Sequence, residues 1–115
     1  MTDFAPVLDA ELVPTVISRL VYLVAPIKAD DVGPQSRLVN DLGFHSLALA
    51  ELGFTVEDLF TIDTLPPERT MSLQTIQDII TLTTEELADG GATLPSVAHL
   101  QSIFSRFGGE WPAAA

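Results

Sequence analysis

Val13, Val16, Ile17, Leu20 and Val24 fall at i, i+3, i+4, i+7 and i+11, one unbroken apolar stripe with the period of an α-helix. A stripe of that kind must be buried against a partner, and the chain supplies more of them. Leu49, Leu52, Val56, Leu59 and Phe60 mark a second helix over about 46–60. Ile76, Ile79, Ile80 and Leu87 mark another, opened by the T-x-x-D capping box of Thr75 and Asp78 and stopped by Gly90-Gly91. Val97, Leu100, Ile103, Phe104 and Phe107 repeat at helical spacing ahead of Gly108-Gly109. No alternating strand pattern competes. The stripes therefore predict an all-α bundle within the single domain that 115 residues allow.

The breakers set the boundaries. Pro14 is compatible with a helix that begins beside it, because a first-turn N–H has no intrahelical partner anyway. Asp9 offers a cap for an earlier start with a kink at Pro14, and both starts stay open; Pro26 closes this helix. From Ala25 to His45 the chain reads as a long loop, of a length that in compact domains tends to be functional. Ile27, Val32, Leu38, Val39 and Leu42 are its expected pegs into the core. Ser46 is the expected N-cap of the second helix, which Gly53 weakens by roughly 1 kcal/mol relative to Ala. Pro66-Pro67 ends the following loop, and Pro67 to Ser72 has room for one short helical turn.

Composition narrows the function classes. The chain is 47% hydrophobic and 18% charged, which is globular, and 5 Lys+Arg against 16 Asp+Glu give a net charge of −11. Phosphate backbones and anionic membranes repel such a chain, so nucleic acid and membrane surfaces are poor partners and basic protein surfaces good ones. With no cysteine, the chain has no disulfide, thiolate metal site or Cys nucleophile. No apolar run approaches the ~20 residues of a membrane span, and no basic start leads into a signal peptide. The expected address is the cytoplasm, with no metal bound.

An enzyme is not expected. The only histidines are His45 and His99, and nothing resembles H-E-x-x-H, an EF-hand loop or a glycine-rich phosphate cradle. His45-Ser46 lacks the G-x-S-x-G frame of a nucleophile elbow, since Gly43 is one place too far and Ala48 replaces the second glycine. Adjacent side chains on a starting helix also do not face each other. What survives is a serine hydroxyl at a helix start, where partial positive charge and free N–H donors tolerate a phosphodiester well. A plain helix cap is the competing reading of the same serine.

The stretch Leu38-Val39-Asn40-Asp41-Leu42-Gly43-Phe44-His45-Ser46-Leu47 resembles the phosphopantetheine attachment region of acyl carrier proteins, usually D-L-G-x-D-S-L. Ala50-Glu51-Leu52 and Val56-Glu57-Asp58-Leu59-Phe60 are similar to that family's second helix. Leu65-Pro66-Pro67-Glu68 and Leu73-Gln74-Thr75-Ile76-Gln77-Asp78-Ile79-Ile80 are similar to its third and fourth. The resemblance covers roughly residues 8–89 in the family's order. It implies a four-helix carrier, three main helices and a short third one, to which this chain adds a C-terminal amphipathic helix. It also implies 4′-phosphopantetheine attached through Ser46, with a terminal thiol that holds acyl groups.

His45 departs from the pattern, standing where the family has aspartate. In the family that acidic residue helps the phosphopantetheinyl transferase and its metal ion engage the carrier. A solvated loop residue and a recognition residue for an unusual partner are the two readings of His45. Leu47, Glu51 and Phe54 match the family's partner-facing side, with Glu57 and Asp58 continuing its acidic character, and positions 47, 51, 54 and 58 share one helical face.

The reading is thus a monomeric acyl carrier of fatty acid or polyketide type, comprising a carrier domain over 1–91 and an extension over 92–115, helical around 96–107. Its expected partners are the transferase and the acyl-transferring and condensing enzymes of a biosynthetic pathway. A peptidyl carrier and an unmodified interaction module are the alternatives. The tail helix is expected to pack back on the domain rather than dock elsewhere, and His99 and Trp111 carry no specific signal.

Overall fold

The computed structural model describes residues 7–28, 31–63, 68–69 and 72–111. A 3₁₀ turn, Ala10–Leu12, runs straight into α1 (Val13–Val24), followed by α2 (Ser46–Phe60), α3 (Ile76–Asp89) and α4 (Val97–Arg106). Among the described residues there is no strand, only isolated antiparallel bridges joining Val7 to Ser96 and Arg37 to Thr75. The class is all-α, as expected. Of the short turn expected at Pro67–Ser72, Glu68 and Arg69 are helical, while Pro67, Thr70 and Met71 lie outside the described residues. So do Leu65, Pro66 and the terminal alanines.

Both proposed starts of the first helix are used. Asp9 caps the 3₁₀ turn by accepting the Glu11 N–H at 2.9 Å, and α1 proper begins at Val13 with Pro14 in its first turn. Pro14 needs no kink there because its missing N–H would have lacked a partner. Beyond Pro26, Lys28 folds back so that its ammonium donates to the carbonyls of Tyr22 and Leu23 at the end of α1. The capping box of α3 is complete: Thr75 accepts the Asp78 N–H at 3.1 Å, and Asp78 accepts the Thr75 N–H at 3.1 Å.

The core gathers Val16, Ile17 and Leu20 of α1, Leu52, Val56, Leu59 and Phe60 of α2, and Ile76 and Ile79 of α3. Val24, Leu49 and Leu87, expected inside, only lean against it. From α4 come Leu100, Ile103 and Phe104, all buried, with Trp111 edge-on to Phe104 at 5.7 Å between ring centres. Arg19 of α1 lies 5.9 Å from the centre of the Trp111 ring. The tail therefore completes the core rather than standing off it.

The long loop is pegged differently from the expectation. Leu38 and Leu42 are buried and Val32 half-buried, but Ile27 and Val39 are 52% and 56% exposed. Leu38 and Leu42 take the inward positions of the turn, which leaves Val39 facing water. Ile27 packs over Gly43 from outside, its N–H donating to the Leu42 carbonyl at 3.1 Å. The third inward peg is Phe44, fully buried beside the start of α2.

Candidate functional site

The segment leading into α2 is fixed before the helix begins. Asp41 accepts the Arg37 N–H at 2.7 Å, the Asp41 N–H donates to the Arg37 carbonyl at 2.9 Å, and the Phe44 N–H returns to the Leu38 carbonyl at 3.0 Å. Gly43 closes the turn with φ +74°, where a side chain is strained. Any Cβ there would also stand 2.7 Å from Ile27 Cδ1. Leu38 in turn donates its N–H to Gln74 at 2.8 Å, which ties the loop to the head of α3. Phe44 anchors in the core and His45 and Ser46 emerge beside it.

The N-cap of α2 is His45, not Ser46. His45 is extended (φ −109°, ψ 179°) and its Nδ1 accepts the Ala48 N–H at 3.4 Å, which puts the ring hydrogen on Nε2. Ser46 already has helical geometry as the first residue of the helix, so its hydroxyl is one position too late to cap. That hydroxyl is exposed and bonds to no described residue. His45 is exposed as a loop residue would be, but it has a structural task. Ser46 thus places a hydroxyl with no partner among the described residues at the positive end of a helix dipole, a position that suits an attached phosphate.

Along α2 the partner-facing residues separate. Leu47 and Phe54 are 76% and 70% exposed, the largest exposed side chains of the helix, and Glu51 is exposed between them. Glu57 is half-buried. Asp58 is shared with α4: Arg106 lies 3.6 Å from one carboxylate oxygen and His99 3.7 Å from the other. His99 also stands 3.1 Å from the Asp58 carbonyl. Sequence reading missed these pairs because they join residues far apart in the chain. Thr55, beside Phe54, is buried with its hydroxyl donating to the Glu51 carbonyl at 2.8 Å. Among the described residues no three His, Cys, Asp or Glu side chains gather as a metal site, and no helix is long and apolar enough to cross a membrane.

The bundle thus holds out the Ser46 side chain at the head of α2, beside an exposed face that carries Leu47, Glu51 and Phe54. Residues 16–83 match the family described as "Phosphopantetheine attachment site". The chain is 33% identical over 64 residues to an acyl carrier protein of Helicobacter hepaticus, covering 56% of this chain and 83% of the relative. It is 31% identical over 80 residues to one of Streptomyces coelicolor (70% and 86%). A third, of Thermobifida fusca, is 28% identical over 64 residues (56% and 80%). The chain belongs to the acyl carrier protein family, whose cofactor is covalently attached 4′-phosphopantetheine.

Proposed function

We propose that this chain is a monomeric acyl carrier of fatty acid or polyketide type, with its prosthetic arm on the hydroxyl of Ser46. The supporting observation is that Ser46 is exposed at the first turn of α2, its hydroxyl without a partner among the described residues, inside the span that matches the family. The arm supplies a terminal thiol, which this cysteine-free chain otherwise lacks, and that thiol holds acyl groups as thioesters. The chain itself is no catalyst in this reading. Its own residues position and present: the helix dipole stabilises the phosphate, and His45 caps the first turn of α2 beneath it.

Leu47 and Phe54 serve as apolar anchors for partner enzymes, with Glu51 and Glu57 adding negative charge around them and Asp58 presenting its carboxylate together with Arg106 and His99. The net charge of −11 steers basic partner surfaces to this face, among them the phosphopantetheinyl transferase and acyl-transferring and condensing enzymes. The absence of cysteine suits a cytoplasmic setting, and residues 1–91 form the carrier proper, with 92–115 as its extension. The test is the mass of the protein isolated from its producer, followed by release of the cargo with hydroxylamine. A phosphopantetheine increment with a carboxylic acid cargo supports the reading. Aminoacyl cargo would make it a peptidyl carrier, and an apo mass throughout would make it an unmodified interaction module.

A further inference from the structure

An open groove of about 990 Å³ begins beside Ser46 and runs between α2 and the end of α4. Its walls are Val24 at the end of α1 and Pro26 just after it, Ala48 and Phe54 of α2, and Arg106 and Phe107 at the end of α4. His45 and Leu47, the two neighbours of Ser46, both line it. At the groove's far wall α4 stops at Arg106. Gly108, at φ +80°, turns the chain away, and Gly109 meets Leu23 of α1 so closely that a Cβ there would stand 2.5 Å from it. Along this groove Leu47, Ala50, Glu51 and Phe54 of α2 stay exposed.

The crevice between α2 and α3, lined by Leu49, Val56, Leu73 and Ile79, holds about 20 Å³, room for roughly one water. We propose that the groove between α2 and α4 is the resting site of the phosphopantetheine arm and its acyl chain. This rests on the attachment of that arm to Ser46. The occupant is chosen by anchorage, since both residues flanking Ser46 form the groove's end, and by chemistry. Val24, Pro26, Phe54 and Phe107 offer apolar contact to a hydrocarbon chain, while Glu51 and the Arg106 guanidinium offer hydrogen-bonding groups to the arm's amides. Leu47 and Phe54 belong both to the groove and to the exposed face of α2, so a partner that covers them displaces the arm from its rest.

The test uses the full chain, isotopically labelled, apo and after a broad-specificity phosphopantetheinyl transferase has moved octanoyl-phosphopantetheine from octanoyl-coenzyme A to the protein, releasing adenosine bisphosphate. Intact mass reports loading, and amide shifts report position. The expected result is a mass gain with shifts at Thr55, Arg106 and Phe107 larger than those at Leu73 and Leu82. A mass gain with shifts confined to Leu49, Leu73 and Leu82 places the chain in the interior and overturns the inference alone. Shifts limited to the neighbours of Ser46 leave the arm in solvent and overturn it too. No mass gain overturns the attachment reading along with it. In a second arm, Ala50→Trp fills the groove from an exposed position. The thiol of the phosphopantetheinylated protein, the only one present, is expected to react with iodoacetamide faster in this variant than in the wild type. Equal rates would overturn the proposal.

Discussion

The Nδ1 of His45 accepts the backbone N–H of Ala48 at 3.4 Å, so the residue before Ser46 closes the first turn of α2 and the Ser46 hydroxyl is not needed as the cap. In this chain capping and attachment fall to neighbouring residues. The residue that departs from the family pattern is the one that caps.

His45→Asp follows from that geometry. Aspartate is a preferred N-cap, and its charge near the helix start contributes about 0.3–1 kcal/mol. The expected outcome is a Tm raised by a few degrees, since about 1 kcal/mol moves a domain of this order by roughly 4–8 °C. A general phosphopantetheinyl transferase is expected to load the variant faster, because the variant restores the acidic group that the family places there. A native transferase adapted to histidine would favour the wild type instead. Equal loading rates with both enzymes would make His45 a structural cap only.

Gly43→Ala tests the turn that presents the site. The left-handed φ of +74° and the 2.7 Å approach of Ile27 Cδ1 both oppose a side chain. A loss of about 1–3 kcal/mol is expected in chemical denaturation. Adding Ile27→Ala removes the clash but not the backbone strain, so recovery should be partial. Full stability in the single variant would contradict the geometry.

Phenylalanines on the two faces should behave oppositely. Phe104→Ala in α4 hollows the core and is expected to cost about 3–5 kcal/mol. Phe54→Ala, at a position 70% exposed, should stay within about 0.5 kcal/mol of wild type while weakening the affinity for a partner enzyme. Melting curves and a binding titration separate the two effects.

Thr83 in α3 is fully buried, and its hydroxyl has no partner among the described residues. An unsatisfied buried hydroxyl carries a desolvation penalty of about 1–3 kcal/mol. Thr83→Val keeps the shape and removes that group, so the variant is expected to melt higher than wild type. A lower melting temperature would show that the hydroxyl has a partner after all.

The helices were legible because their stripes are long and their punctuation strong: Thr75 with Asp78 opens α3, Gly90 closes it and Pro26 follows α1. The attachment region was legible as a motif. What escaped depends on tertiary geometry. Ser and His both offer a capping acceptor, and only the backbone angles at 45 and 46 decide which one caps. Phe44 belongs to no periodic stripe, yet it is buried because the turn at Gly43 aims it inward. Asp58 read as part of an acidic face, but pairing with His99 and Arg106 requires α4 to lie alongside α2. Trp111 carried no pattern, and its place against Phe104 and Arg19 is set by the chain reversal after α4.

The central claim is that Ser46 carries the prosthetic arm, and intact mass tests it most directly. Wild type and Ser46→Ala are incubated with coenzyme A and a broad-specificity transferase, and their melting temperatures are compared in parallel. Because His45 is the cap, the substitution should change stability by no more than about 0.5 kcal/mol, as for an ordinary surface site. The account predicts a gain of one phosphopantetheine in the wild type and none in an equally folded variant. A gain that persists in Ser46→Ala, or no gain in the wild type with any transferase, would contradict it.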